Sequence, residues 1–328
     1  MSRPGRSADP AVHGILVVAK PAGPTSHDVV ALVRRLTGVR RVGHGGTLDP
    51  FAMGVLPIFL GSATRMVEYH LADEKAYRAT LVFGAHSSTD DLDGELTPVE
   101  GPPPTRAAVE AALARFRGPI EQVPPDHSAV HVGGRRAYEL ARRGDKPSLE
   151  PRRVTIHALD LVSWDAAHAE RPAAEIEVRC SAGTYVRALA RDLGLAVSSG
   201  AYLGALTRTA SGPFGIEDAH PLLAAREALA QGRTAELLLP PDAGLEAIPS
   251  VELPARDVAA LARGQVIRVG GSVNRAAGTT SATPGPGSAA PAPDDLVRVI
   301  DPSGRLAAMA HLQDGRLHPD KVFISPEP

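Results

Sequence analysis

One cysteine, Cys180, stands in a chain of 328 residues. An internal disulfide and every multi-cysteine zinc site are thereby excluded, which agrees with a reducing compartment and leaves Cys180 as a core thiol. No apolar run reaches the roughly 20 residues that cross a bilayer as a helix. The first dozen residues, MSRPGRSADPAV, have no hydrophobic centre for a secretory signal, so a cytoplasmic protein without membrane contact is expected. A basic total is also missing: the formal net charge is -2, and nothing in that figure announces nucleic acid. The chain has no G-K-[ST] of a phosphate-binding loop and no G-x-S-x-G nucleophile elbow. His127 and His131 sit four apart, but Ser128 stands where H-E-x-x-H needs glutamate. No metal and no cofactor are expected.

The chain has enough apolar residues, 43%, for a large core, and its charge is unevenly spread. Residues 30 to 41 carry four arginines and no acid, and residues 115 to 153 carry nine basic against five acidic side chains. Each segment fits an RNA contact or an ordinary solvated face. The most unusual stretch is Gly43 to Gly61, GHGGTLDPFAMGVLPIFLG. Gly43, Gly45 and Gly46 permit positive φ and close backbone approach, and Pro50 biases Asp49 toward extended backbone. The apolar run from Val55 to Leu60 then anchors this loop in the core. Asp49 is either a turn residue or a carboxylate held rigidly for chemistry.

In chain order, Gly14 to Ala19 is an apolar strand ending at Lys20-Pro21. A helix follows, with Ser26 as its N-cap, Val29, Val33 and Leu36 on one face, and Gly38 as its stop. Lys75 to Gly84 alternates as a strand with Tyr77, Ala79, Leu81 and Phe83 inward. Asp91, Asp93, Gly94 and Glu100 fall at EF-hand spacing, but Thr89 fills the first ligand position and Pro98 interrupts the loop, so calcium is rejected. Arg106 to Phe116 is a helix, and Glu175 to Cys180 is a half-buried strand with Ile176, Val178 and Cys180 inward. The next helix has Tyr185 and Arg187 in its first turn, where a cation is locally unfavourable and asks for an anionic partner. The stretch from residue 274 to 295 is too poor in apolar residues to fold and reads as a flexible loop. Around it lie a helix near Pro254 to Ala262 and the strands VIRV, LVRVID and LAAMAHL.

The motif G-H-x-G-x-L-D-P-x-A-x-G-x-L-P at Gly43 to Pro57 resembles that of the TruB family, the bacterial tRNA pseudouridine-55 synthases. The resemblance continues through K-P-x-G-x-T-S-H-D-V-V from Lys20, Q-x-P-P from Gln122, G-T-Y-[VI]-R from Gly183, and residues 201 to 214. It implies an α+β pseudouridine synthase fold with a mixed, mainly antiparallel central sheet. A small, mostly β, PUA-like C-terminal domain would follow. The implied divisions are a tail at 1–12, a catalytic domain at 13–245 and an RNA-binding domain at 246–328. The implied substrate is the T arm of tRNA. Asp49 would be the nucleophile, His44 would enter the tRNA loop, and Tyr77 would stack on the flipped base. Arg187 would pair with Asp49 and keep it ionised, Tyr185 of the same motif would bind substrate, and Leu206 would lie against the base. Lys20 and Asp91 would be supports. Two positions depart from the family pattern: His127 replaces an aromatic and His131 a lysine.

Overall fold

The computed structural model describes residues 12–269, apart from 129, 133, 142, 146, 147 and 169, and residues 296–324. The tail and the 274–295 loop inferred from sequence lie outside these residues, except for Val12. The chain opens with β1 (Gly14–Lys20), α1 (Ser26–Thr37), β2 (Val42–His44) and β3 (Met53–Leu60). After a turn of 3-10 helix come α2 (Val67–Leu71), β4 (Lys75–Phe83), the hairpin of β5 (Ala85–Ser87) and β6 (Leu96–Pro98), and α3 (Arg106–Leu113). β7 (Gly118–Gln122) leads to a small hairpin, β8 (His131–Val132) and β9 (Arg135–Arg136), with α4 (Ala137–Ala141). The large elements β10 (Arg152–Asp165), β11 (Ala173–Cys180), α5 (Val186–Ala196) and β12 (Ala201–Ser211) follow, then β13 (Phe214–Gly215), β14 (His220–Pro221) and α6 (Leu222–Ala230).

One sheet of ten strands runs β14-β1-β3-β12-β4-β11-β10-β7, with β2 on β3 and β13 on β12. It is mixed and mainly antiparallel, since only β1 with β14 and β12 with β3 pair in parallel. β1 and β3 are the most buried of its long strands. Leu16, Val18, Leu56, Ile58 and Leu60 pack with Val29, Val30 and Val33 of α1 and Leu189 and Leu193 of α5 in one core cluster. Ile15, Val17, Val55 and Phe59 pack in another, with Met66, Phe214, Leu306 and Met309. Burial on both faces explains why GILVVA and VLPIFL read as unbroken apolar runs and not as alternation.

Leu306 and Met309 belong to a separate, mostly stranded C-terminal domain. Its elements are β15 (Ser250–Glu252), α7 (Ala255–Ala262), β16 (Ile267–Arg268), β17 (Leu296–Ile300), β18 (Leu306–Gln313) and β19 (Arg316–Val322). Its sheet is ordered β15-β17-β18-β19-β16. Polar contacts supplement the shared core. Arg65 donates to the Val322 carbonyl at 2.6 Å, Tyr69 donates to Asp320 at 3.0 Å, and Lys321 lies 4.4 Å from the Tyr69 ring centroid and pairs with Glu68.

Several sequence expectations are corrected. The N-cap of α1 is Thr25, in a reciprocal capping box with Asp28, while Ser26 is the first helical residue. Leu36 is only partly buried, and Val30 takes its place among the buried residues of α1. Of the three loop glycines, only Gly46 has positive φ, at 127°. Tyr185 is the N-cap of α5 and stands just outside the helix. VIRV contributes a two-residue strand only, and the helix begun at Arg106 tightens to 3-10 geometry from Ala114. Cys180 is buried, as its place in the inward row of β11 requires.

Candidate active site

Asp49 sits between two pinned peptide groups. On its N-terminal side, Ser26 Oγ accepts from Leu48 N at 2.8 Å and donates to Leu48 O at 3.1 Å. On its C-terminal side, Pro50 O accepts from Lys20 Nζ at 3.1 Å and from Gly23 N at 2.8 Å. Lys20 is 1% exposed and also donates to Pro21 O and Pro24 O, so it knits the turn after β1 to the Asp49 loop. Burial lowers its pKa from 10.5 to about 8, against the attraction of Asp49. A carboxylate on such a loop has little freedom to relax.

Asp49 and Asp91 supply the anionic compensation foreseen for Arg187, a cation in the first turn of α5. Arg187 Nε lies 3.0 Å from Asp49 Oδ2 and its Nη2 donates to Asp49 Oδ1 at 3.2 Å, a two-point fork. Nη1 lies 3.3 Å from Asp91 Oδ2 and donates to Thr89 O at 3.1 Å, and Nη2 also donates to His127 O at 3.0 Å. The guanidinium is 5% exposed. His127 therefore enters the site through its backbone carbonyl, which any residue supplies. Asp91 is itself 7% exposed at the side chain and accepts from the amide of Asp93. Although 34% of the Asp49 side chain is open, burial still dominates its titration and raises its pKa. Arg187 and Lys20 oppose this shift and Asp91 reinforces it. The net direction is upward, so the cation moderates the shift without reversing it, and the resulting carboxylate is a stronger base than an exposed one.

Tyr77 and Leu206 lie on the neighbouring strands β4 and β12, where Leu206 pairs with Ala79 and Arg208 with Tyr77. Tyr77 is half-buried and packs against the main core. Burial raises its phenol pKa, and the charge of Arg208, opposite it in the register, acts the other way. His44 ends β2 and accepts from Gly46 N through Nδ1 at 3.3 Å, which places its proton on Nε2 in the neutral ring. Burial, followed by Arg208 and His27, lowers its pKa. Tyr185 is held through its backbone: Gln122, fully buried, donates to Tyr185 O at 3.0 Å and accepts from Tyr185 N at 2.8 Å. The Tyr185 ring lies 4.3 Å from Arg152, so one ring face is already covered.

The structure thus places Asp49, Arg187 and Asp91 in direct contact, with Lys20 beneath and His44 on the same loop. Tyr77 and Leu206 come from adjacent strands. Gln122 and Arg208 are additional polar supports that the sequence reading does not single out. For Arg208 a signal exists, because it follows Leu206 by two and shares its inward row on β12.

Residues 34–186 match the family model described as TruB family pseudouridylate synthase, N-terminal domain. A tRNA pseudouridine synthase B of Symbiobacterium thermophilum is 49% identical over 265 residues, covering 80% of this chain and 86% of the relative. One from Thiobacillus denitrificans is 42% identical over 320 residues, 98% of this chain and 99% of its own. Among solved structures, a chain of an H/ACA ribonucleoprotein bound to a substrate RNA containing 2'-deoxyuridine superposes with a TM-score of 0.68 at 24% identity. The match covers 96% of this chain and 86% of that one, and at this identity it bears on the fold alone.

Proposed function

Because the chain belongs to the TruB family of pseudouridylate synthases, we propose that it isomerises a uridine of tRNA to pseudouridine, the target lying in the T loop. The observation that carries the chemical reading is the fork from Arg187 to Asp49, two contacts of 3.0 and 3.2 Å on a loop pinned on both sides. Asp49 is the nucleophile or base. The N1–C1' bond breaks, the uracil turns while bound, C5 joins C1', the C5 proton leaves and N1 takes one up. Attack at C1' and abstraction of the C2' hydrogen both use one carboxylate. The balance involves no redox change, so the chemistry calls for no cofactor.

The target base must leave the stack, which costs a few kcal/mol. Stacking on one aromatic returns about 1 to 3 kcal/mol. Tyr77 therefore needs help from Leu206 against the base and from His44 filling the vacated place. A neutral His44 suits that role, since it enters a stack of bases without an unpaired charge. Tyr185, Lys20 and Asp91 position the site. In this reading residues 13–245 are the catalytic domain, and residues 246–328 form a PUA-like domain that adds RNA contacts.

The test is tritium release from a tRNA transcript labelled at uracil C5. Release by the intact protein, none by Asp49→Asn and slower release by His44→Ala are expected. Binding of tRNA without release would indicate an RNA-binding role instead, and release by Asp49→Asn would remove Asp49 from the chemistry.

A further inference from the structure

Arg208 is the largest fully buried side chain of the described residues, 1% exposed, and no carboxylate among them lies within ion-pairing distance of it. An unpaired buried cation is a costly way to fill space, and an apolar side chain of similar volume is often at least as stable. Its three acceptors are backbone carbonyls on one stretch of chain, the one that carries Asp49. Nε donates to Val55 O at 2.7 Å, Nη2 to Gly46 O at 3.1 Å and Nη1 to Thr47 O at 3.4 Å, so three bonds hold the ends of the loop that carries Asp49. Tyr77 stands opposite Arg208 in the β12–β4 register, so the same strand carries the fork past the tyrosine.

Local backbone keeps the fork in place. β12 runs beside β3 with Arg208 opposite Gly54, and a Cβ on Gly54 would meet Arg208 O at 2.1 Å.

We propose that Arg208 is a positioning residue for the isomerisation: one donor fork on β12, opposite Tyr77, ties both ends of the Asp49 loop to the sheet and so fixes the carboxylate relative to that tyrosine. The inference rests on the reaction proposed above for its kinetic consequence, but the physical link between loop and sheet does not. Lysine at this position keeps the charge and loses the planar fork.

The full chain is compared with its Arg208→Lys variant in single-turnover tritium release and in tRNA binding. Arg208→Lys is expected to slow release on the order of 100-fold, the scale of a loss of about 1 Å in placement, while the tRNA Kd changes less than about threefold. Hydrogen exchange supplies a readout independent of activity: amides of residues 43–52 should exchange at least about tenfold faster in Arg208→Lys, with those of α5 and β18 unchanged. A loss confined to Kd, or exchange that rises uniformly or not at all, would overturn the proposal. If the intact protein releases no tritium, the reaction reading fails by itself and the exchange pattern alone decides the Arg208 link.

Discussion

Replacing Arg187 by alanine removes a cation that touches two carboxylates and two carbonyls while itself 5% exposed. Breaking a buried ion pair by removing one partner costs about 3 to 5 kcal/mol. The lower end applies here, because one third of the Asp49 side chain is open to solvent and screened. About 3 kcal/mol at 1.36 kcal/mol per decade is roughly a hundredfold in rate. Since Arg187 opposes the effect of burial on Asp49, its loss moves the Asp49 pKa further up. The ionised fraction at a given pH then falls, and the rising acid limb of the rate profile shifts to higher pH. Single-turnover tritium release from pH 4.5 to 8.5, with tRNA affinity measured in parallel, reads both effects. Arg187→Lys should fall between wild type and Arg187→Ala, since an ammonium keeps the charge but cannot reproduce the fork. A defect in affinity with turnover intact, or an acid limb that stays in place, would refute this account of the pair.

Lys75 donates from a buried position to the carbonyls of His70 and Asp73, and burial lowers its pKa from 10.5 to about 8. Between those values the unfolded chain binds more protons than the folded one, so this group makes stability rise with pH, by at most about 1.4 kcal/mol per unit. The melting temperature of wild type relative to Lys75→Met should accordingly rise from pH 7 to pH 10, and a constant difference would contradict it. Met309 lies fully buried in the cluster that joins β18 to β1 and β3, so Met309→Ala should cost about 2 to 5 kcal/mol. It should lower a single calorimetric transition, and two separated transitions with only one displaced would show that the sheets unfold independently.

Elements with a simple pattern were legible in the sequence. β1, β3, β4 and β11 announce themselves as apolar runs or clean alternation, and α1 and α5 as apolar stripes. The longest strand, β10, does not. Its buried residues Val154 and Ile156 keep a period of two, but the pairing with β11 shifts between Ile156 and Ala158 and again between Leu161 and Ser163. Each irregularity moves the inward row by one residue, so a period of two fails along the strand. Ser26 misleads for another reason. Thr25 and Ser26 both suit a cap, and the choice depends on Leu48, 22 positions away, whose backbone takes the serine hydroxyl.

The same distinction holds within the site. Asp49, His44, Tyr77, Tyr185, Arg187 and Leu206 sit in compact motifs whose order along the chain survives without coordinates. Arg208 and Gln122 act through carbonyls and amides that carry no side-chain identity, so their partners leave no mark in the sequence. Gly54 is the exception: at φ 103°, with Arg208 O where a side chain would begin, its glycine records how closely β12 approaches β3. Reading Gly54 together with an arginine in the inward row of β12 turns an apparently structural glycine into evidence for where the buried cation lies. The chemistry then depends on two arginines of different kinds. Arg187 binds the carboxylate itself, while Arg208 holds the backbone on which that carboxylate is presented.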